Sequence, residues 1–275
     1  MKLKRKDFDI ILSLGGNCSA AGQLKHRGLR RCSFPLDWTW MGDEKPIRKL
    51  PVILESRFAN FLQWENITHA EHARKEAGRL VFDVSDSYSG ISFTHHFYGK
   101  HFDRPMFDRC RQTLQRRIER LYKEVDRSES ALFILETAFA YDDSLAEDVF
   151  RSLRNTFPKC DVHLVVMEFS ADECSEAWSH DEHMVIAKYH RPLNVVYDNQ
   201  FTGHEWCWMD SLTMKGVDRP EIVRKRNLLV KYAFKIWWKM GKWLESKGAG
   251  VVNMRLRDFG DYTIQDSREH EQTAD

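Results

Sequence analysis

Ala131-Leu132-Phe133-Ile134-Leu135 is a run of five apolar residues, and Val162-His163-Leu164-Val165-Val166-Met167 is a second run of similar character. Both have the length and composition of buried strands. Between them, Leu145, Val149, Phe150, Leu153 and Phe157 recur at three- and four-residue spacing, behind Asp142 or Asp143 as a helix cap and ahead of Pro158 as a stop. Strand, helix and strand at this spacing make a crossover unit, which requires the two strands to be parallel. A parallel sheet has to be covered on both faces. The expected fold is therefore α/β, a three-layer domain with a mostly parallel sheet flanked by helices.

The other segments fit around that unit. Phe8 to Leu12 reads as a first buried strand, followed by a helix from Cys18 to about Arg27, with Gly28 as its stop. Residues 29–38 read as a loop. Apolar spacing predicts a helix over Pro46–Leu62, a strand pair at 80–84 and 91–95, and a strand at Met184–Ala187. Arg104 to Val125 is a strong amphipathic helix, and its Arg109, Arg111, Arg116, Arg117 and Arg120 are expected to be solvated. A further helix is expected over Glu221–Ser246. The sequence is read as one domain over residues 1–260, with 261–275 a polar, disordered tail.

Bulk properties exclude several classes. A net charge of +1 gives no basis for nucleic-acid binding. No apolar run is long enough to span a bilayer, and no secretory leader is evident. Cys18, Cys32, Cys110, Cys160, Cys174 and Cys207 are scattered without a C-x-x-C pair, which suits a reduced, cytoplasmic protein. The pairs His69/His72 and His180/His183 each supply only two donors, so neither a metal nor another cofactor is expected. Oligomeric state is not fixed by the sequence.

The chemistry concentrates at Ser13-Leu14-Gly15-Gly16-Asn17-Cys18. A thiol at a helix start lies beside unpaired backbone N–H groups and the positive end of the dipole. Two readings follow. In one, Cys18 is a nucleophile, and the Asn17 amide with the Cys18 backbone N–H forms an oxyanion hole. In the other, the Gly15-Gly16 turn cradles the phosphate of a sugar or nucleotide in a non-catalytic or transferase-like module, and Cys18 merely packs there. A phosphatase loop, a P-loop and a dinucleotide fingerprint are all absent. For a nucleophile, the base candidates are His95 and His96. Strand alternation turns His95 inward with Phe93 and sends His96 to solvent. Glu136, at the carboxyl end of its strand, is the candidate to orient the imidazole. Asp142 is explained by helix capping.

Ser13 to Cys18, with Gln23-Leu24, Gly28-Leu29-Arg30 and Ser33-Phe34-Pro35-Leu36-Asp37-Trp38, resembles the opening signature of the DUF1796 family, described as "putative papain-like cysteine peptidases". Phe93-Thr94-His95-His96-Phe97 and the arginines at 116, 117 and 120 resemble its later elements, and the likeness covers residues 8–168. The resemblance implies a cysteine nucleophile at Cys18 with His95 as its base. It also brings Asp37 and Trp38 into the signature, where Trp38 would wall a substrate pocket and Asp37 would cap or pair with Arg30. A small-molecule, glycan or peptide substrate is implied, in a setting of bacterial glycan and polysaccharide assembly. A nucleophile placed after the first strand of a three-layer domain is similar to the arrangement of SGNH-type hydrolases.

Overall fold

The two apolar runs become neighbouring strands at the centre of a sheet. This computed structural model describes residues 5–69, 73–76, 79–170, 177–179, 182–190 and 204–215. Its elements are β1 (Asp7–Phe8), β2 (Ile10–Ser13), α1 (Cys18–His26), β3 (Thr39–Trp40), α2 (Glu44–Glu55), β4 (Ile67–His69), β5 (Arg74–Glu76), β6 (Arg79–Asp86), β7 (Ser92–Tyr98), α3 (Arg104–Asp126), β8 (Ser130–Thr137), α4 (Asp143–Thr156), β9 (Asp161–Ser170), β10 (Ala177–Ser179), β11 (Met184–His190) and β12 (Thr213–Met214). Short 3-10 segments occur at Trp64–Asn66 and His204–Ser211.

The main sheet has the order β10-β11-β9-β8-β2. β2, β8, β9 and β11 are mutually parallel, and β10 is an antiparallel edge. α4 makes the crossover between β8 and β9, so the expected strand–helix–strand unit is present. Side-chain alternation divides the sheet between two cores. Ile10, Leu12, Phe133, Leu135, Leu164 and Val166 face one core, shared with α2, α3 and α4 through residues such as Leu50, Leu114 and Val149. Ile11, Leu132, Ile134, Val165 and Met167 face the other, with Ala20 and Leu24 of α1 and Trp206 of the second 3-10 segment. The layers are helix, sheet and helix, the α/β architecture expected.

A second sheet, β3-β7-β6-β4 with β5 also on β6, is antiparallel throughout. Its Phe82, Val84, Phe93 and Phe97 join the first core. Its β6–β7 hairpin matches the strand pair expected from sequence. β1 and β12 form a two-stranded parallel ladder.

Two local expectations need correction. The helix expected to reach Leu62 ends at Glu55, because Arg57 (φ 53°), Phe58 (φ 64°) and Leu62 (φ 51°) adopt left-handed backbone. Phe58 and Leu62 are nevertheless buried. Their spacing reflects a shared core rather than a continuous helix. In β7, three residues (Thr94, His95 and His96) lie opposite the single Asp83, since Phe82 pairs with Phe97 and Val84 with Phe93. Such a bulge re-aims side chains and breaks the alternation used to orient the two histidines. The expected helix at 221–246, the tail at 261–275 and the domain end at 260 lie outside the described residues.

Among the described residues, no helix is long and apolar enough to cross a membrane.

Candidate active site

β2 ends at Ser13, and the chain turns through Gly15 (φ +84°) and Gly16 (φ +94°) into α1. Both glycines are needed for packing as well as for backbone conformation. A Cβ on Gly16 would lie 1.5 Å from the Glu136 carbonyl oxygen, and one on Gly15 would lie 2.4 Å from Thr39 Oγ1 and 2.8 Å from the Leu36 carbonyl oxygen. The turn is thus filled by β8 and by the 36–39 segment, where the sequence had suggested room for a phosphate.

Asn17 is the N-cap of α1. Its Oδ1 accepts from the Cys18 backbone N–H at 2.6 Å, and its side chain is buried. That N–H, expected to help form an oxyanion hole, is instead engaged by the cap, because asparagine is among the best N-cap residues. Glu136 reaches the same helix end from β8. It is 1 % exposed, and its Oε2 accepts from Ala20 N at 3.1 Å. A carboxylate against the first turn matches the positive end of the helix, a role the sequence did not suggest. Its backbone N–H also donates to the Gly15 carbonyl at 3.1 Å. From Ile10 to Leu24, every residue is buried except Cys18, which is half-buried.

The loop before β3 is organised by Asp37. This side chain is 1 % exposed and accepts from Arg30 Nε and Nη2 at 3.0 and 2.7 Å and from Phe34 N at 2.9 Å. Burial is the largest influence on its carboxyl and pushes its pKa up, against the pull of Arg30. Asp37 therefore holds the loop, as the pairing with Arg30 had suggested. Trp38 follows with φ +64°. Its ring lies under the Arg30 guanidinium at 5.7 Å and meets the His95 ring edge-on at 6.3 Å. Beyond it, Thr39 pairs with Phe93 of β7, and Met41 N donates to the Gly16 carbonyl at 3.2 Å. The turn carrying Cys18 is thereby tied through residues 36–41 to the strand carrying His95.

His96 is not solvent-facing. Its Nδ1 is buried, its ring packs on the edge of Phe93 at 5.4 Å, and Arg117 Nη1 lies 3.4 Å from Nε2. Burial first, then the charge of Arg117, lowers its pKa to about 3. It is a neutral, structural imidazole at neutral pH. The arginine face of α3 is correspondingly split. Arg109, Arg111 and Arg116 are exposed as expected, whereas Arg117 reaches His96 and Arg120 donates to the Ser33 carbonyl at 3.1 Å.

The remaining described thiols are less available. Burial raises the pKa of Cys32, of Cys110 to about 12 and of Cys160 to about 11. Of the histidines paired by sequence spacing, His72 and His180 fall outside the described residues. His69 stacks on Phe102 with ring centroids 4.3 Å apart. His183 meets His163 and Asp161 at the amino ends of β9 and β11, a cluster that sequence spacing missed.

No curated protein and no solved structure matches the chain. One family model does, over residues 9–171, more than half of the sequence, and it spans the Cys18 turn, the Asp37-Trp38 loop and His95. The chain therefore belongs to the DUF1796 family, whose description is "Putative papain-like cysteine peptidase".

Proposed function

We propose that this protein is a cysteine-dependent acyl hydrolase or acyltransferase with Cys18 as nucleophile and His95 as general base. The observation that carries the reading is the half-exposure of Cys18 within an otherwise buried stretch at the carboxyl end of β2. Open parallel sheets bind ligands at that end of their strands. His95 takes the thiol proton, and Cys18 Sγ attacks the acyl carbonyl. The leaving group departs with a proton from the imidazolium, and a thioester remains. Water, or a hydroxyl or amine acceptor, then takes the acyl group.

Trp38 stands beside His95 and would wall the acyl side of the site. Asn17 and Glu136 act as positioning residues, fixing the first turn of α1 on which the thiol is mounted. The Asn17 amide nitrogen remains the candidate donor for an oxyanion. The substrate class we assign is an acyl or peptidyl compound, with a glycan as acceptor or carrier in the setting the family suggests. A reducing, cytoplasmic compartment fits Cys18, Cys32, Cys110 and Cys160, which form no disulfide. The alternative of a phosphate-binding module has less support, since both glycines of the turn are accounted for by close packing.

The test is competitive labelling with iodoacetamide at pH 7.5, read by peptide mass spectrometry. Burial pushes the Cys160 thiol up to about 11 and that of Cys110 to about 12, so both carry very little thiolate at this pH. Cys18 should label first. His95→Ala should remove most of the selectivity while leaving the circular dichroism unchanged. Labelling of Cys18 that is no faster than that of Cys110, or unaffected by His95→Ala, refutes the nucleophile–base pair.

A further inference from the structure

A second constellation lies at the opposite end of the main sheet from Cys18. Asp161 and His163 begin β9 and project to one face, two residues apart. Met184 pairs with Leu164 across the parallel β9–β11 ladder, so the preceding residue, His183, is brought beside His163. Their ring centroids are 4.5 Å apart. Asp161 joins them, with Oδ2 3.2 Å from His163 Nε2 and Oδ1 3.1 Å from His183 Nε2. We propose that Asp161, His163 and His183 form a binding site for a divalent transition-metal ion of the zinc class.

The donor set is the first argument. Two imidazoles and a carboxylate match the N/O preference of zinc and its neighbours in the first transition row, and not that of magnesium or calcium. With metal–donor bonds of about 2.1 Å, adjacent donors on a tetrahedral ion lie about 3.4 Å apart. The imidazole nitrogens lie 3.2 and 3.1 Å from the carboxylate, one on each oxygen, and one donor atom from each residue falls within 4.8 Å of the others, a span that small side-chain rotations close around one ion.

The state of the ligands is the second. His163 is 3 % exposed, and its Nδ1 is buried without a hydrogen-bond partner. Nε2 is therefore its single useful nitrogen, and it faces the cluster.

Exposure is the third. The Asp161 and His183 side chains are 36 % and 33 % exposed, so an ion can reach the cluster from solvent. Three protein donors leave the fourth tetrahedral position open, the pattern of metal sites that handle a ligand rather than purely structural ones.

Arg5 supplies an internal control. Its Nη1 lies 2.6 Å from Asp161 Oδ2, so its charge competes with a metal for the same carboxylate. Removing a half-exposed ion pair of this kind releases about 0.5–1 kcal/mol, a roughly two- to fivefold gain in metal affinity.

The experiment is calorimetric titration of the tag-free, full-length protein with Zn²⁺ at pH 7.5, paired with Co²⁺ absorption spectra. One equivalent should bind, and Mg²⁺ should give no heat. Co²⁺ should show ligand-field bands without the thiolate charge-transfer absorption that a cysteine site would produce. His183→Ala and Asp161→Asn should each weaken Zn²⁺ binding by at least about 100-fold, the upper range for loss of a supporting group around a metal. Both positions are partly exposed, so thermal melts matching the wild type are expected to show an intact fold. Arg5→Ala should tighten binding two- to fivefold. No Zn²⁺ binding by the wild type, or binding that survives either ligand substitution at full affinity, overturns the site. So does weaker binding in Arg5→Ala.

Discussion

Replacing His96 with glutamine should make this protein more tolerant of acid. The native imidazole is held neutral under Arg117, with its pKa at about 3 against 6.5 for an ordinary histidine. Between those values the unfolded chain binds a proton that the native state refuses, so stability rises with pH across this window and falls on acidification. At pH 5 the unfolded side chain is favoured by 1.5 pH units' worth of protonation, and at pH 8 by almost none. At about 1.4 kcal/mol per unit, wild type should lose about 2 kcal/mol from this residue between pH 8 and pH 5. Because pH 5 lies well above the native pKa, that loss is set by the unfolded-state value alone. His163 is also depressed and adds a loss of the same sign, but its effect is common to both proteins. Asp9 and Asp161 are lowered below 3.8 and titrate outside this range. Glutamine can still accept from Arg117, so the variant should keep the packing without the titration. The assay is urea unfolding followed by tryptophan fluorescence at pH 8 and pH 5. The drop in unfolding free energy should be about 2 kcal/mol smaller in the variant. Equal drops in the two proteins would refute the assignment of a desolvated, neutral His96.

Gly16→Ala should destabilise the fold by at least about 3 kcal/mol, since a methyl group would overlap the Glu136 carbonyl and φ is +94°. A thermal melt within 2 °C of wild type would contradict the packing of the turn. Asp37→Ala should cost about 3–5 kcal/mol by leaving the Arg30 guanidinium largely buried without its partner. A stable variant impaired only in substrate binding would mean that Asp37 acts on substrate instead.

The parallel sheet was readable because short apolar runs and a 3.6-residue stripe are local signals. Ala131–Leu135, Val162–Met167 and the helix between them each declare their type without reference to the rest of the chain. α3 was readable for the same reason, from Phe107 to Val125. What failed depended on contacts distant in sequence. Phe58 and Leu62 kept a helical spacing only because one core receives both. His96 was misoriented because a three-against-one bulge is set by the pairing of β6 with β7, not by β7 itself. Arg117 and Arg120 looked like surface charges until the Ser33–Asp37 loop and His96 were brought against α3. Asp161, His163 and His183 were invisible as a group because strand register, and no sequence motif, places His183 beside His163. The position of Cys18 was legible, since two glycines after a strand announce a tight turn. That Asn17 and Glu136 would both serve the end of its helix was not.

The double attachment of α1 has a consequence for how such a site accommodates its cargo. Asn17 caps the first turn of that helix and Glu136 ties the turn to β8, so on the proposed reading the backbone that carries the sulfur is held in place while a molecule binds. On that reading, adjustment to the size or shape of what enters falls to other parts of the site, such as the loop in which Trp38 sits on a short left-handed bend beside His95. Diversity in this architecture should accordingly be sought in the tryptophan-bearing loop, while the thiol remains a stationary reference point.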